Sequence, residues 1–254
     1  MRTTKAISAL LILIGVTNST IAQDVAPPPA SEGVPPSGYF EIGIGAAEPL
    51  NNFARATGSG YGGYALPGTN VNLSMGIPIA ESNFGVAVMY NYAWNFHDIN
   101  TYVDNVQMSD QSNTYFPNGQ DSYRESFILA GLFATIPVDR VSFDFRLMGG
   151  LAICGLPEVD YGADATSVTA SQNFEWDTYS STATSFASDL GMNIRFRIHR
   201  TSIMAGIDYL YADPMVNTTQ QYTDQYGNST YTHVGGMLPI SIMSYSLGIG
   251  YQFR

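Results

Sequence analysis

The chain has 254 residues, 45% of them hydrophobic and only 12% charged, against the ~25% charged residues usual in globular domains. That shortage argues against an ordinary soluble enzyme. The one lysine, Lys5, and Arg2 both fall in the first 23 residues, which leaves eight arginines against 21 carboxylates in the rest; nucleic-acid partners, which require clustered Lys and Arg, are excluded.

At the start, Arg2 and Lys5 precede a largely apolar run over residues 6–16, followed by Asn18, Ser19 and Thr20 and then Ala22 and Gln23. This is the layout of a secretory signal over residues 1–23, and the run falls short of the ~20 apolar residues of a membrane helix. The lone cysteine, Cys154, permits no internal disulfide and stands at no lipid-anchor position; it reads as a small buried apolar side chain rather than a reactive thiol. Residues 24–37 carry Pro27, Pro28, Pro29, Pro35 and Pro36, a composition that predicts an extended spacer.

From residue 38 onward the hydrophobic pattern has period two, which places alternate side chains on opposite faces of a strand. Phe40, Ile42, Ile44 and Ala46 oppose Glu41, Gly43 and Gly45 in the first segment, and Val71, Leu73, Met75 and Ile77 oppose Asn70, Asn72, Ser74 and Gly76 in the second. The third, Phe84 to Trp94, is rich in aromatics. The fourth, over residues 126–136, is apolar on both faces and its sides are unassigned. In the fifth, Phe143, Phe145, Leu147, Leu151 and Ile153 oppose Asp144, Arg146, Met148, Gly150 and Ala152. The sixth sets Phe186, Leu190, Met192, Ile194, Phe196 and Ile198 against Asp189, Gly191, Asn193, Arg195 and Arg197, and the seventh sets Ile203, Ala205, Ile207, Tyr209 and Tyr211 against Ser202, Gly206 and Asp208. The last is the clearest: Met243, Tyr245, Leu247, Ile249, Tyr251 and Phe253 form one face, and Ser244, Ser246, Gly248, Gly250 and Gln252 the other.

Connections between these eight segments alternate. Residues 78–83, 137–140 and 199–200 make short links, whereas 48–68, 95–124, 155–182 and 213–239 make long ones, far beyond the ~4–6 residues usual in compact domains. A sheet in lipid must pair every backbone group and therefore closes, with an even strand number and short turns at one end. The prediction is an all-β fold, a closed antiparallel transmembrane β-barrel of eight strands over residues 38–254, or ten if a long connection hides a further hairpin. The face opposite the oily one then lines the lumen, where Glu41, Asp144, Asp189 and Asp208 meet Arg146, Arg195 and Arg197 in near balance. Eight strands leave room only for side chains, so a salt-bridged plug is expected, with a narrow path for ions or small solutes as the alternative.

The terminal strand ending Tyr251-Gln252-Phe253 and the segment Tyr64-Ala65-Leu66-Pro67-Gly68-Thr69 give the chain its resemblance to outer-membrane β-barrel proteins of Gram-negative bacteria, specifically the small OmpA-like barrels, and the latter segment is similar to barrels common in the Bacteroidota. The resemblance implies integral residence in the outer membrane among its lipid, a periplasmic spacer and termini, extracellular loops, and recognition of the C-terminal strand by the barrel assembly machinery. Many members end on the aromatic itself, whereas Arg254 follows Phe253 here. The peptidoglycan-binding domain of OmpA proteins is not carried over.

The long loops hold many acids but only Arg55 and Arg124 among cations, and tyrosines such as Tyr61, Tyr64, Tyr102, Tyr115, Tyr161, Tyr179, Tyr222, Tyr226 and Tyr231 recur among Asn, Ser, Thr and Gln. That composition suits recognition of an unidentified surface ligand; the competing reading is that the tyrosines only pack the loops or the membrane interface. No Ca²⁺ loop spacing occurs, and no metal or cofactor site is expected. His97-Asp98 and His233 are the one catalytic suggestion, but no recognised catalytic motif accompanies them, and an enzyme is not expected.

Overall fold

A computed structural model describes residues 38–56, 62–80, 82–109, 113–119, 121–165 and 174–253. The expected signal and spacer, together with Tyr61 and Arg254, lie outside the described residues. Eight strands, β1 (Gly38–Pro49), β2 (Gly68–Pro78), β3 (Phe84–Phe96), β5 (Ser122–Val138), β6 (Val141–Gly155), β9 (Thr182–Ile198), β10 (Thr201–Ala212) and β13 (Ile240–Phe253), form a closed antiparallel barrel in the order β1-β13-β10-β9-β6-β5-β3-β2. The first and last strands seal it, with Gly38 opposite Phe253 and Pro49 opposite Ile242. All eight segments read from alternation are barrel strands, and no further strand enters the wall among the described residues.

Alternation maps onto the wall as expected. Ile44, Val88, Leu147, Leu190, Ile203, Leu247 and Ile249 point outward and are exposed, while Glu41, Asn72, Asn91, Asp144, Arg146, Asn193 and Asp208 point inward and are buried. The strand whose sides were unassigned, β5, turns Glu125, Phe127, Leu129 and Phe133 inward and Ile128, Leu132 and Ile136 outward. Between Glu125 and Thr135 its lumen face is apolar, and a neighbouring strand offers a small residue whose space one of its rings fills. A Cβ on Gly85 would stand 2.3 Å from the Phe133 ring, and one on Gly76 would stand 2.3 Å from the Tyr39 ring. Large rings on one strand thus occupy space that glycine leaves on the next. In the two-residue turns after β5 and β9, Asp139 (φ 53°) and His199 (φ 60°) take the left-handed conformation, which Asp and His adopt more readily than bulky residues.

The long connections are not irregular. They contribute β4 (Asn113–Pro117), β7 (Val159–Ala165), β8 (Phe174–Thr178), β11 (Met215–Thr223) and β12 (Ser229–Met237), which form a second sheet in the order β12-β11-β8-β7-β4. Two of its hairpins continue barrel hairpins in the same register. Ala212 faces Ile240 at the top of the β10–β13 pair, and Met215 then faces Met237 in β11–β12. Likewise Gly155 faces Thr182 and Val159 then faces Thr178. The hairpins that a ten-strand barrel would need therefore exist, but they rise above the rim instead of widening the wall. Two short helices complete this end, α1 (Asn51–Ala54) and α2 (Ile99–Ser109).

Candidate functional site

Two regions collect the residues singled out by the sequence. The first is the lumen. In its half nearer the short turns, Arg195 on β9 reaches Glu41 Oε1 through Nε at 2.7 Å and Asp144 Oδ2 through Nη2 at 2.7 Å. Its guanidinium lies 4.2 Å from the centroid of the Tyr39 ring. Arg146 Nη2 donates to Asp208 Oδ1 at 2.5 Å and to Asn193 Oδ1 at 3.2 Å. Asn193 Nδ2 in turn donates to Glu41 Oε2 at 3.2 Å, which also accepts from Ser74 Oγ, and Thr135 Oγ1 donates to Asp144 Oδ1 at 2.6 Å. Asn193 thereby links the two guanidinium groups into one belt across six strands. Such pairing is what a buried charge requires.

The structure differs from the expected charge set at two residues, Arg197 and Glu125. Arg197 does not join the belt; it is half-buried at the turn end, where Nη2 donates to the Asp139 carbonyl at 3.0 Å. Asp189 is buried near Arg146, but its carboxyl oxygens make no hydrogen bond among the described residues. Glu125, which falls between the 126–136 segment and the 95–124 link read from the sequence, lies within β5 and is fully buried, and its two oxygens are also without a hydrogen-bond partner among the described residues. The buried groups are therefore five carboxyls, Glu41, Glu125, Asp144, Asp189 and Asp208, against two guanidinium groups, and the near balance read from the sequence does not hold.

Toward the long-connection end the lumen turns apolar. Phe53, Tyr123, Phe127, Leu129, Leu210, Ile240 and Ile242 belong to one buried cluster. Phe53, the buried residue of α1, meets Tyr123 edge-on with ring centroids 4.9 Å apart, and the Tyr123 hydroxyl donates to the Gly63 carbonyl at 2.6 Å. An ionic belt and an apolar stopper thus fill the bore at successive levels. Cys154 is buried in this cluster as a free thiol.

The second region is the loop sheet. One face packs against α2: Ile99, Val103, Val159 and Tyr161 are buried together, with Tyr102, Val106, Tyr115 and Trp176 against them. Trp176 lies parallel to Tyr161 and meets Tyr222 edge-on. Tyr64, Tyr102, Tyr115, Tyr161 and Tyr222 are thus packing residues, whereas Tyr179, Tyr226 and Tyr231 are exposed. Alternation puts Asp160, Glu175 and Asp177 on the other face, with Asp160 directly opposite Asp177. Burial, reinforced by the charges of Asp177, Glu158 and Glu175, pushes the Asp160 carboxyl up to about 6.

The structure places the two histidines singled out by the sequence in different settings. Asp98 caps α2, its Oδ1 accepting from the Thr101 N–H at 3.1 Å, as N-terminal Asp commonly does. His97 is buried among Tyr64, Tyr102 and Tyr123, and that burial lowers it to about 4, outweighing the opposing charge of Asp98. His233 stands exposed on β12, with Nδ1 3.1 Å from Thr219 Oγ1.

No family model matches the chain, and no curated protein matches it. Among solved structures, a major outer membrane protein of Thermus thermophilus is similar at 12% identity and a TM-score of 0.43, over 85% of this chain and 99% of that one. Neisserial surface protein A (NspA) is similar at 13% identity and a TM-score of 0.45, over 85% and 97%. Ail, the attachment invasion locus protein of Yersinia pestis, solved in complex with the heparin analogue sucrose octasulfate, is similar at 16% identity and a TM-score of 0.38, over 85% and 99%. Each is a protein that this chain is similar to in strand architecture.

Proposed function

We propose that the chain is an integral outer-membrane barrel with a structural and surface-interaction role, its loop sheet outside the cell and both termini in the periplasm. The observation that carries this reading is the outward face of the closed barrel. Exposed apolar side chains ring it on every strand: Ile42, Val71, Val88, Leu132, Leu147, Leu190, Ile203 and Leu247. Aromatic residues gather toward both ends of that band, with Phe40, Phe84, Phe196 and Tyr251 at one end and Trp94, Phe96, Tyr211 and Tyr245 at the other. A soluble barrel exposing this surface would aggregate; a barrel in lipid requires it, with aromatic girdles at the two interfaces. Along β3 the band runs from Phe84 to Trp94, which at ~3.3 Å per residue and a tilt near 40° is about 25 Å tall, the thickness expected of such a barrel.

The filled lumen favours a closed scaffold over the narrow pore, and the capping role of Asp98 with the burial of His97 favours a non-enzymatic one. The terminal strand, pairing with β1 from Ile242 to Phe253, suits delivery by the barrel assembly machinery, and the lead-in to β2 suits a Bacteroidota-type, OmpA-like origin. Fractionation of expressing cells combined with heat-modifiable gel migration tests the membrane reading, with recovery in the outer membrane expected. A monodisperse, detergent-free protein would overturn it. Recording in planar bilayers tests the closed lumen, with no unitary conductance expected; steady single-channel steps abolished by Arg195→Ala would instead establish the pore.

A further inference from the structure

The two edges of the loop sheet are treated differently. At one edge β4 is only five residues long, ends on Pro117, and has its backbone engaged by a side chain of α2: Gln107 Nε2 donates to the Asn113 carbonyl at 2.7 Å, and Gln107 Oε1 accepts from the Tyr115 N–H at 2.9 Å. The Gln107 amide stands where a neighbouring strand would be, one of the ways proteins blunt an edge. At the other edge β12 is nine residues long, contains no charged residue and no proline, and has β11 as its one paired neighbour among the described residues. Its residues are exposed apart from a half-buried Gly236. The edge is open because β12 continues β13, whereas β13's other barrel neighbour, β1, stops at Pro49 and turns into α1.

Which backbone groups face outward follows from the ladder. The Asp224 N–H donates to the Asn228 carbonyl at 3.0 Å, and the Leu238 N–H donates to the Pro214 carbonyl at 3.1 Å. Both bonds fall on the register that pairs Met215 with Met237. Antiparallel pairs alternate between bonded and non-bonded, so Thr230, Thr232, Val234 and Gly236 bond β11. Ser229, Tyr231, His233, Gly235 and Met237 turn their N–H and C=O groups away from the sheet. The hairpin tip is held in place by the Asp224 side chain, which accepts from the Tyr226 and Asn228 N–H groups at 2.8 and 2.9 Å. The outward row is a preformed template for one more strand.

We propose that this edge binds an extended, basic polypeptide segment of a partner by strand addition. The inference rests on the surface-interaction reading and names its mode. Charge selects the occupant: the chain carries a net −11, and Asp160, Glu175 and Asp177 share one face of the sheet. The net charge steers a cationic segment toward the sheet and turns an anionic one away; screening limits the direct attraction to ~8 Å at physiological salt, which leaves Asp224 at the tip of the β11–β12 hairpin, rather than the acids of β7 and β8, to meet the added strand. A second copy is disfavoured twice. It brings the same negative charge, and because β12 runs on from the barrel wall in register, antiparallel pairing of two β12 edges about a two-fold axis would invert one barrel relative to the other in the membrane.

The test uses the full chain in detergent micelles, titrated with a fluorescent alternating Lys-Thr octapeptide. Controls are the alternating Glu-Thr octapeptide and a Lys-Thr octapeptide N-methylated at alternate residues, which removes the strand donors. Binding of the first at least tenfold tighter than either control is expected, with slowed amide exchange at Ser229, Tyr231, His233, Gly235 and Met237. His233→Pro removes one outward donor without touching the β11 ladder, and Tyr231→Lys adds a repelling charge while keeping every backbone group; each should weaken binding at least tenfold. Heat-modifiable migration of each variant shows that the barrel is intact. An intact barrel that binds all three peptides alike, or none, overturns the inference and leaves the membrane reading standing, whereas loss of heat-modifiability in the unaltered chain sinks that reading instead. Protection of the same amides without peptide, in a species of doubled mass, would place a second copy on the edge and also overturn the inference.

Discussion

Arg195 is the most exposed point of the lumen's electrostatic logic to experiment. It is buried, and it is bonded to two carboxylates, Glu41 and Asp144, that are themselves fully buried. Arg195→Ala would leave both without their cation. Removing one partner of a buried pair typically costs about 3–5 kcal/mol, because the remaining charge is stranded out of water; with two carboxylates stranded, the upper end of that range is expected. The comparison is Arg124→Ala at the rim, whose pair with Asp121 is 3.5 Å long and well exposed; exposed pairs contribute no more than about 1 kcal/mol. Urea unfolding of the barrel in lipid vesicles, followed by tryptophan fluorescence, reads both. The decisive variant combines Arg195→Met with Glu41→Gln and Asp144→Asn, replacing the ionic set by neutral groups of similar volume. It should recover most of the lost stability, since the cost lies in the unpaired charges and not in the missing guanidinium. A single variant costing under about 1 kcal/mol, or a triple variant no better than the single one, would refute the view that this belt is a set of mutually dependent buried charges.

Two further outcomes follow from the outer wall and the loop sheet. Leu247, 68% exposed on the outward face, should cost about 2–4 kcal/mol as Leu247→Arg near the bilayer midplane, measured by the same unfolding assay, whereas Ser246→Arg on the lumen face should instead prevent assembly by overfilling a closed interior. In the loop sheet two groups respond oppositely to acid. Asp160, raised to about 6, binds its proton more readily folded than unfolded, so the sheet gains stability as pH falls from about 6 toward 4 and loses it on the way up. His97, lowered to about 4, resists a proton that the unfolded chain accepts, so its contribution is complete above about 6.5 and is lost as pH falls toward 4. Protection of the β7 and β8 amides, taken relative to the intrinsic exchange rate at each pH, should therefore rise from pH 7 to pH 5 in His97→Phe, which leaves the response of Asp160 and of the facing Asp177, also raised by burial, and the gain should shrink when Asp160→Asn is added.

The strand count and the inside-outside assignment were legible because period-two alternation is a local signal: each of the strands other than β5 carries its own statement of which face is oily. The β5 strand was opaque for the same reason. Phe127, Leu129 and Phe133 are apolar like Ile128 and Leu132 beside them, and only a pairing not visible locally, such as Gly85 on β3 opposite Phe133, says which ring is needed inside. Glu125 was lost because it falls between the 126–136 segment and the link before it. Arg197 was misplaced because alternation gives a side and not a depth: it does face the lumen side, one residue pair beyond Arg195, and there the turn carbonyl of Asp139 claims it. A hairpin hidden in a long connection was foreseen, but its joining with others into one sheet was not, because that depends on pairing between segments far apart in the chain, such as Gln220 with Thr178. The tyrosines that suggested recognition divide by the same criterion, three of them, Tyr102, Tyr115 and Tyr161, filling the space between that sheet and α2.

Where β10 passes into β11 and β12 into β13, Pro214 and Pro239 stand on adjacent rungs of one hairpin, with the Leu238 N–H to Pro214 bond between them. Proline supplies no donor, so the rung between Pro214 and Leu238 keeps only one of its two bonds in an otherwise continuous ladder. That height is a natural seam. Residues can be added or removed in facing pairs above it without shifting a single partner below, so the portion that meets the outside can diversify in length while the staves of the cask keep their fit.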